Sequence, residues 1–277
     1  YKAKSKGRNG FYFYEEGLTR VVEAKKRLSI ELRSALQNNE FVLFYQPLFL
    51  ADGSMSRSLE ALVRWNHPDR GLLTTGDFLP MVEEEGLMDE LSQWVLHAAC
   101  LQAKSWLDKG FLLEKMAINF SLFTEQRDLF EMVEGVLDTT QLPPSCLELD
   151  IAESLLVGDS EELIDCLEQL RKRGVGVALD NFGTGGVSLT LLARLPIDLL
   201  KMDREFVDNL TVDNNDLRLI KTIVAMASSL ALPVLAKRIE TQLQREILIR
   251  EGCDLFQGYL FSAALSVGEI EGLLQRR

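Results

Sequence analysis

Hydrophobic and polar positions alternate along this chain between short apolar runs and longer amphipathic segments. From residue 41 onward the short runs predict eight strands, and most of the intervals between them have the apolar period of helices. The predicted strands are Phe41–Leu50, Ser58–Trp65, Met116–Ser121, Cys146–Ile151, Val175–Asp180, Leu199–Asp203, Pro233–Ile239 and Phe256–Phe261. The predicted helices are Asp77–Glu85, Glu90–Lys109, Glu125–Asp138, Ser160–Arg173, Asp213–Leu230 and Thr241–Glu251.

The alternation of strands with helices predicts an α/β fold with a largely parallel sheet. Eight such strands in a chain of 277 residues fit a closed (β/α)8 barrel better than an open sheet. A further amphipathic segment, from about Thr19 to Asn38, predicts a helix that leads into this domain. The chain opens on Tyr1 with the basic stretch "YKAKSKGRNG", which we interpret as the tail of a preceding domain.

Six polar residues lie at or near the carboxyl ends of predicted strands, where apolar core residues are expected. In a parallel barrel these ends meet on one face, and that face carries the active site. Any one of the six could instead cap a helix or satisfy a turn. Together they predict a polar site at the barrel mouth: Asn119, Asp150, Asp180, Lys201, Lys237 and Gln257.

Composition and charge narrow the classes of function. A hydrophobic content of 47% supports a large buried core, and a net charge of −12 argues against non-specific binding to nucleic acid or anionic membranes. The apolar runs are shorter than the roughly 18 residues of a membrane span. We therefore expect a soluble, cytoplasmic domain, which leaves open a membrane anchor elsewhere in a longer protein.

Cysteine and histidine usage limits the metal chemistry. The four cysteines are widely separated, which predicts buried free thiols and not a zinc or disulfide motif. Only His67 and His97 are present, too few for the usual all-protein site of a zinc hydrolase. A metal here would be held by carboxylates, which favours magnesium or manganese.

Eight segments in order resemble the EAL domain, the cyclic di-GMP phosphodiesterase module. They are "FYQPL", "LEALVRW", "AINFS", "LELDIAES", "ALDNFGTGG", "LLKMDREFV", "AKRIET" and "QGYLFS". The resemblance covers about Leu28 to Gln275, and "YKAKSKGRN" resembles the end of a GGDEF domain. It implies that residues 21–277 form an EAL-like domain with its lead-in helix, and that residues 1–20 are a linker and the tail of a GGDEF-like domain.

For the fold, the resemblance implies a modified (β/α)8 barrel whose first strand is antiparallel. For the chemistry, it implies two divalent ions, Mg2+ or Mn2+, that support hydrolysis of cyclic di-GMP to linear pGpG. It also implies a homodimer, with cyclic di-GMP and an upstream GGDEF-like domain as partners.

The resemblance also implies roles for individual residues. The implied metal ligands are Glu60, Asn119, Asp150 and Asp180, of which Asp150 stands where the family has glutamate. Lys201 is implied to orient the attacking water, and Glu153 to steady the loop after the fifth predicted strand. The implied ligand-side residues are Gln46, Arg64 for a phosphate, Asp203, Glu240 and Gln257.

Several departures from the family pattern concern catalysis. Asn181 replaces the second aspartate of "DDFGTG", and Lys237 and Arg238 replace the glutamate and glycine of "AEGVET". Gly186 replaces a tyrosine in a loop linked to dimerisation, and "FSAA" replaces "FSKP" near the end. Five acidic positions of the family thus become three carboxylates, one amide and one ammonium.

Three functions follow as alternatives. The first is a regulatory EAL domain that senses cyclic di-GMP with impaired or absent hydrolysis, because Lys237 neutralises the acidic cluster. The second is a working phosphodiesterase, and the third is a protein-interaction scaffold that has lost the nucleotide. The Lys237 ammonium could also extend away from the site into solvent, but the glutamate that the family has at this position would still be absent.

Overall fold

The fold is taken from a computed structural model, which describes residues 31–120, 129–156, 161–184, 187–208, 210 and 215–275. The expected GGDEF-like tail, most of the lead-in helix and Gly186 lie outside the described residues. Helical residues 31–37 (α1) agree with the end of that predicted helix. The chain divides into two compact units, one made of residues up to 41 with Trp65–Leu87, the other of Val42–Arg64 and Met88–Arg277.

In the first unit, strand and helix pack around aromatic rings. β3 (Gly71–Leu73) pairs antiparallel with the end of β2 (Met55–His67), and α2 (Thr75–Glu84) follows it. The Trp65 ring lies 5.7 Å from that of Phe41 and 6.0 Å from that of Phe78, measured between centroids. β3 was not predicted, because three residues are too few to show a period.

The second unit contains an eight-stranded ring. β1 (Phe41–Leu50) pairs antiparallel with β9, the pairing continues in parallel from β9 back to β4 and β2, and a β1–β2 pairing closes the ring. This confirms the predicted barrel with an antiparallel first strand. The remaining strands are β4 (Lys115–Asn119), β5 (Leu147–Ala152), β6 (Gly176–Phe182), β7 (Leu199–Met202), β8 (Val234–Ala236) and β9 (Leu255–Phe256).

Helices follow most of the strands, and the long ones were predicted. They are α3 (Met88–Asp108), α4 (Leu129–Thr140), α5 (Glu161–Lys172), α8 (Asn215–Ser229) and α9 (Gln242–Glu251). The prediction missed α6 (Leu189–Leu192), α7 (Glu205–Asp208), α10 (Val267–Leu274) and the 3-10 turns Pro144–Cys146 and Glu153–Leu156.

Short length explains two of these omissions, whereas α10 could have been predicted from its cap. α6 and α7 are single turns without a readable apolar period. α10 carried a readable signal, since the backbone N–H and the hydroxyl of Ser266 both donate to the Glu269 carboxylate, at 2.8 and 2.6 Å.

Two predicted strands were too long by three residues or more at their carboxyl ends. The last was predicted to reach Phe261, but β9 stops at Phe256 because a turn begins at Gly258, where the backbone lies against Ile239. β8 was predicted to reach Ile239, but Arg238 takes a left-handed φ of 61° and ends the extended chain after Ala236.

The barrel is filled by apolar side chains. Leu48, Ala178, Leu199 and Leu235 form one buried cluster inside the second unit. All four cysteines are buried free thiols, as predicted. Within the described part of the chain, no helix is both long and apolar enough to span a bilayer.

Substitution of Gly258 is expected to damage the fold. An added Cβ would lie 2.2 Å from both N and O of Ile239, so backbone must move, and we expect Gly258→Ala to lower the free energy of unfolding by about 1–3 kcal/mol. The matched control is Gly135→Ala in α4, where the added Cβ meets nothing within 4 Å and a gain of about 0.5–1 kcal/mol is expected. Urea unfolding measures both, and equal effects would contradict this account.

Candidate active site

The six strand-end residues do converge, and a seventh polar residue joins them. Asn119, Asp150, Asp180 and Lys201 lie in the last residues of β4 to β7, while Lys237 and Gln257 directly follow β8 and β9. Hydrogen bonds and ion pairs connect all of them to Glu60 of β2 or to one another. The geometric part of the prediction is therefore confirmed at the barrel mouth, whereas the roles of the residues remain predictions.

Glu60 is held by two amides. Its Oε1 accepts a hydrogen bond from Asn119 Nδ2 at 2.9 Å, and its Oε2 accepts one from Gln257 Nε2 at 2.7 Å. Burial alone would raise the pKa of Glu60, but the charges of Lys237 and Lys201 and these two hydrogen bonds lower it to about 2. Glu60 is therefore ionised and fixed in position.

Lys201 is the centre of a buried ion triad. Its Nζ lies 2.5 Å from Asp150 Oδ1 and 3.0 Å from Glu148 Oε1, and its side chain is 1% exposed. Burial opposes the charge of Lys201, but Asp150 and Glu148 outweigh it and raise its pKa. The sequence prediction missed Glu148, although residues two apart on a strand share a face and Asp150 was already placed at the mouth.

Asp150 keeps one oxygen without a partner. Its Oδ2 is buried and has no hydrogen-bond partner among the described residues. Burial is the largest cause that raises the pKa of Asp150, and the nearby carboxylates of Glu148, Glu60 and Asp180 raise it further, against the lowering effect of Lys201. An unpaired buried carboxylate oxygen at this depth is costly unless a proton or a cation satisfies it.

Lys237 points into the acidic cluster. Its Nζ lies 2.6 Å from Asp180 Oδ1, and its side chain is 15% exposed. This contradicts the alternative in which the ammonium extends into solvent. Burial opposes its charge, but Glu60 and Asp180 raise the pKa of Lys237, so the ammonium stays protonated.

Asn181 follows Asp180 directly in the chain, and unlike Asp180 it is exposed to solvent. It takes a left-handed φ of 54°, a conformation that asparagine tolerates, and it is exposed. Its backbone N–H donates to Asp180 Oδ1 at 2.8 Å, the same oxygen that Lys237 contacts. Asp180 Oδ1 is thus shared by a backbone donor and an ammonium.

Glu153 ties down the loop after β6, which is the fifth predicted strand. Its Oε2 accepts from the backbone N–H groups of Gly183 at 2.8 Å and Thr184 at 3.1 Å, and its Oε1 accepts from that of Val187 at 3.1 Å. Three backbone bonds to one carboxylate fix the loop that follows Asp180 and Asn181.

Three further candidates lie in the second unit. Gln46 Nε2 donates to the backbone oxygen of Ser262 at 3.0 Å. Asp203 Oδ1 accepts from the backbone N–H of Glu205, which gives Asp203 a capping contact before α7. Glu240 is exposed, and its backbone N–H donates to Gln244 Oε1 at 2.9 Å.

Arg238 does not reach the cluster. Its Nη1 pairs with Asp208 Oδ2 of α7 at 3.1 Å, where the two side chains are 44% and 36% exposed. The second cation introduced into this segment is therefore neutralised outside the site, and of the two only the Lys237 ammonium lies inside it.

The donor atoms suit a hard divalent ion in type. Carboxylate oxygens of Glu60, Asp150 and Asp180 and the Asn119 amide oxygen are ligands that magnesium and manganese prefer. The buried cluster contains four carboxylates and two ammonium groups: Glu60, Glu148, Asp150, Asp180, Lys201 and Lys237. Their formal charges sum to −2, which one divalent ion would balance. Among the described residues, no three His, Cys, Asp or Glu side chains are already arranged to hold a metal.

The low pKa of Glu60 has a consequence for acid stability. Because that pKa lies near 2 instead of its ordinary 4.5, the ionised form stabilises the fold above pH 4.5, and this contribution is lost as the pH falls towards 2. This difference between the two pKa values corresponds to roughly 3 kcal/mol of free energy of unfolding. With a chelator present to remove metal ions, the free energy of unfolding is measured by urea denaturation at several pH values. Below pH 4.5 it should fall less steeply for Glu60→Gln than for the wild type. Parallel curves would contradict the assignment, and Glu168→Gln on an exposed helix face serves as control.

Curated proteins share the sequence of this chain over nearly its whole length. The chain is 39% identical over 271 residues to MucR of Pseudomonas aeruginosa, a bifunctional diguanylate cyclase/cyclic di-GMP phosphodiesterase, covering 98% of this chain and 40% of that protein. It is 37% identical over 277 residues to the cyclic di-GMP phosphodiesterase NbdA of the same organism, covering 99% of this chain and 35% of the relative. The chain thus spans two fifths or less of these curated relatives.

Solved structures match over most of the chain. A PaMucR phosphodiesterase in complex with c-di-GMP superposes with a TM-score of 0.83 at 38% identity, covering 88% of this chain and 99% of that one. The cGMP-bound EAL enzyme Bd1971 superposes with a TM-score of 0.82 at 28% identity, covering 92% of this chain and 71% of that one. The EAL domain family model matches residues 30–264. With the barrel, the mouth cluster and these matches together, the chain belongs to the EAL domain family.

Proposed function

We propose that this domain is a cyclic di-GMP-responsive regulatory module whose phosphodiesterase activity is impaired or absent. The observation that carries the proposal is the Lys237 ammonium, 2.6 Å from Asp180 Oδ1 inside the acidic cluster. Binding of the dinucleotide is supported by the similar PaMucR domain, which was solved with c-di-GMP. Within this chain, Gln46, Arg64 and Gln257 are the ligand-side groups.

The argument against hydrolysis rests on charge. Two divalent ions, when bound, supply a hydroxide nucleophile and stabilise the leaving oxygen, and carboxylates must offset their charge. Here Lys237 already neutralises Asp180, and Asn181 adds no charge. At an effective dielectric of 20, unit charges about 4 Å apart interact by about 4 kcal/mol, so a second divalent ion close to Lys237 is strongly disfavoured.

One metal site is compatible with the same residues. Glu60, Asn119, Asp150 and Asp180 would hold a single Mg2+ or Mn2+, and the unpartnered Asp150 Oδ2 supports this. Because aspartate is one methylene shorter than glutamate, we expect a weaker site than the family pattern implies. The second metal site is proposed to be lost.

A working phosphodiesterase is the second candidate function. It is favoured by the relatives, whose names include this activity, and by the retained Lys201, which lies within 2.5 Å of Asp150. In that case Asp150, Lys201 and one ion would have to support hydrolysis without the second metal.

A binding and turnover experiment separates these functions. Cyclic di-GMP is titrated by calorimetry with Mg2+, with Mn2+ and with chelator, and the mixtures are then analysed for linear pGpG. Binding with no product, or with product at least a hundredfold slower than from a phosphodiesterase relative, supports the proposal. Turnover at the rate of the relative rejects it in favour of the second function, and absence of binding under all conditions points to a scaffold.

A further inference from the structure

Glu148 is a buried acid to which the proposed function gives no role. It is 6% exposed on β5, between Leu147 and Leu149, which are both fully buried. Its Oε1 lies 3.0 Å from Lys201 Nζ. A carboxylate at this depth is costly to bury, and a packed apolar side chain would stabilise the core at least as well. We therefore expect Glu148 to act on its charged neighbours and not on the packing of the core.

Glu148 lies deeper in the barrel than Asp150. Residues two apart on a strand share a face, so both carboxylates point to the same side of β5. At about 3.3 Å per residue, the Cα of Glu148 lies about 7 Å further from the carboxyl end of β5 than that of Asp150. Lys201 Nζ contacts both acids, at 3.0 and 2.5 Å, so the ammonium is shared between them. Glu148 thus holds the ammonium on the inner side of Asp150.

The charge of this triad decides what Asp150 can offer to a cation. Asp150 and Lys201 alone would form a neutral pair, whereas two carboxylates and one ammonium sum to a formal charge of −1. Asp150 Oδ1 accepts from Lys201, and Asp150 Oδ2 is buried without a hydrogen-bond partner in the part of the chain that the structure describes. An oxygen without a partner and a net negative charge are what a hard divalent ion requires.

The Lys201 ammonium would weaken this ligand if it moved towards the mouth. Its stem is flexible, and the carboxylates of Glu60 and Asp180 also attract its charge. Without Glu148, these acids would draw the ammonium outward, where it would repel a metal ion. Glu148 supplies the opposing attraction from inside the barrel.

We propose that Glu148 is a positioning residue of the metal site, which keeps the Lys201 ammonium on the inner side of Asp150 and leaves Asp150 Oδ2 to a divalent ion. Glu148 acts through Lys201 and does not contact the ion itself. This inference rests on the proposed function, in which Asp150 is one of the ligands of a single Mg2+ or Mn2+.

Glu148→Gln tests the charge, because glutamine keeps the shape of the side chain and an acceptor for Lys201. Electron paramagnetic resonance of free Mn2+ measures the dissociation constant. Loss of one negative charge near a divalent ion should raise that constant about tenfold, between the values expected in water and in a protein interior. Glu148→Asp keeps the charge and should bind Mn2+ nearly as tightly as the wild type. The control Glu168→Gln, at a 47% exposed side chain on α5, should bind Mn2+ like the wild type.

The position of Lys201 is measured without metal. In chelator, the ¹⁵N NMR signal of the Lys201 ammonium is assigned by its loss in Lys201→Arg. Glu148→Gln should shift this signal, because the ammonium loses one of its two carboxylates, and Glu168→Gln should not. Glu148→Asp should shift it as well, because the shorter carboxylate moves the ammonium, and this variant decides the question if Glu148→Gln does not fold.

Two results would overturn the inference. One is a Lys201 signal that does not shift when Glu148 is changed, and the other is a shifted signal in Glu148→Gln with unchanged affinity for Mn2+. A wild type that binds no Mn2+ would instead reject the single metal site of the proposed function. In that case a shifted signal would still support the hold of Glu148 on Lys201.

Discussion

Conversion of Lys237 to glutamate together with Asn181 to aspartate is expected to raise the rate of cyclic di-GMP hydrolysis by about 10²–10⁴-fold, the range that a restored acid–base group contributes. The double change removes the ammonium that contacts Asp180 and returns two carboxylates to the positions where the family pattern has them. Single-turnover kinetics with Mn2+, followed by product analysis, measure the gain.

The same double variant should depend on metal for its stability. Without metal, a glutamate at position 237 joins Glu60 and Asp180 and repels them, so its melting temperature in chelator should fall below that of the wild type. Saturating Mn2+ should reverse the fall, since an ion that binds only the native state stabilises it. The matched control, Lys172→Glu with Asn215→Asp, makes the same change in charge at exposed positions. If the double variant hydrolyses cyclic di-GMP only a few fold faster than the wild type, the second candidate function, a working phosphodiesterase, is favoured.

Removal of the buried lysine is expected to have the largest effect on stability. Lys201→Met deletes the ammonium that lies between Asp150 and Glu148 and leaves two buried carboxylates without their counter-ion. Breaking a buried ion pair in this way costs about 3–5 kcal/mol. Urea unfolding at pH 7 measures the loss.

An exposed lysine provides the comparison. Lys172 pairs with Glu168 on α5 at 3.6 Å with 76% of its side chain exposed, so Lys172→Met should change the unfolding free energy by less than about 0.5 kcal/mol. If Lys201→Met were as mild as Lys172→Met, the triad would not be buried as described. Lys201→Met with Glu148→Gln should recover part of the loss, because it removes one uncompensated charge.

The barrel could be predicted from the sequence because its signals are local and repeated. Apolar runs with a polar residue at each carboxyl end identified the strands that carry Asn119, Asp150 and Asp180, and parallel topology then required those ends to meet. Strand ends were less predictable. The end of β9 at Phe256 depends on the close approach of Gly258 to Ile239, and these two residues belong to different predicted strands.

The site was predictable in its members but not in its pairings. Sequence spacing could not decide whether the Lys237 ammonium turns inward or outward, because the long aliphatic stem of lysine can reach in either direction. Nor could it reveal that Arg238 is drawn away by Asp208, because that contact joins the segment after β8 to α7, a helix too short to predict. Glu148 was missed for a simpler reason, since the neighbouring Asp150 already accounted for the polar strand end.

The count of metal ions at the barrel mouth tests the central claim most directly. Crystals soaked in Mn2+ with cyclic di-GMP, and analysed by anomalous scattering, should show at most one ion, with Lys237 Nζ still in contact with Asp180. Two fully occupied ions bridged by Asp180, with the lysine displaced, would contradict the account.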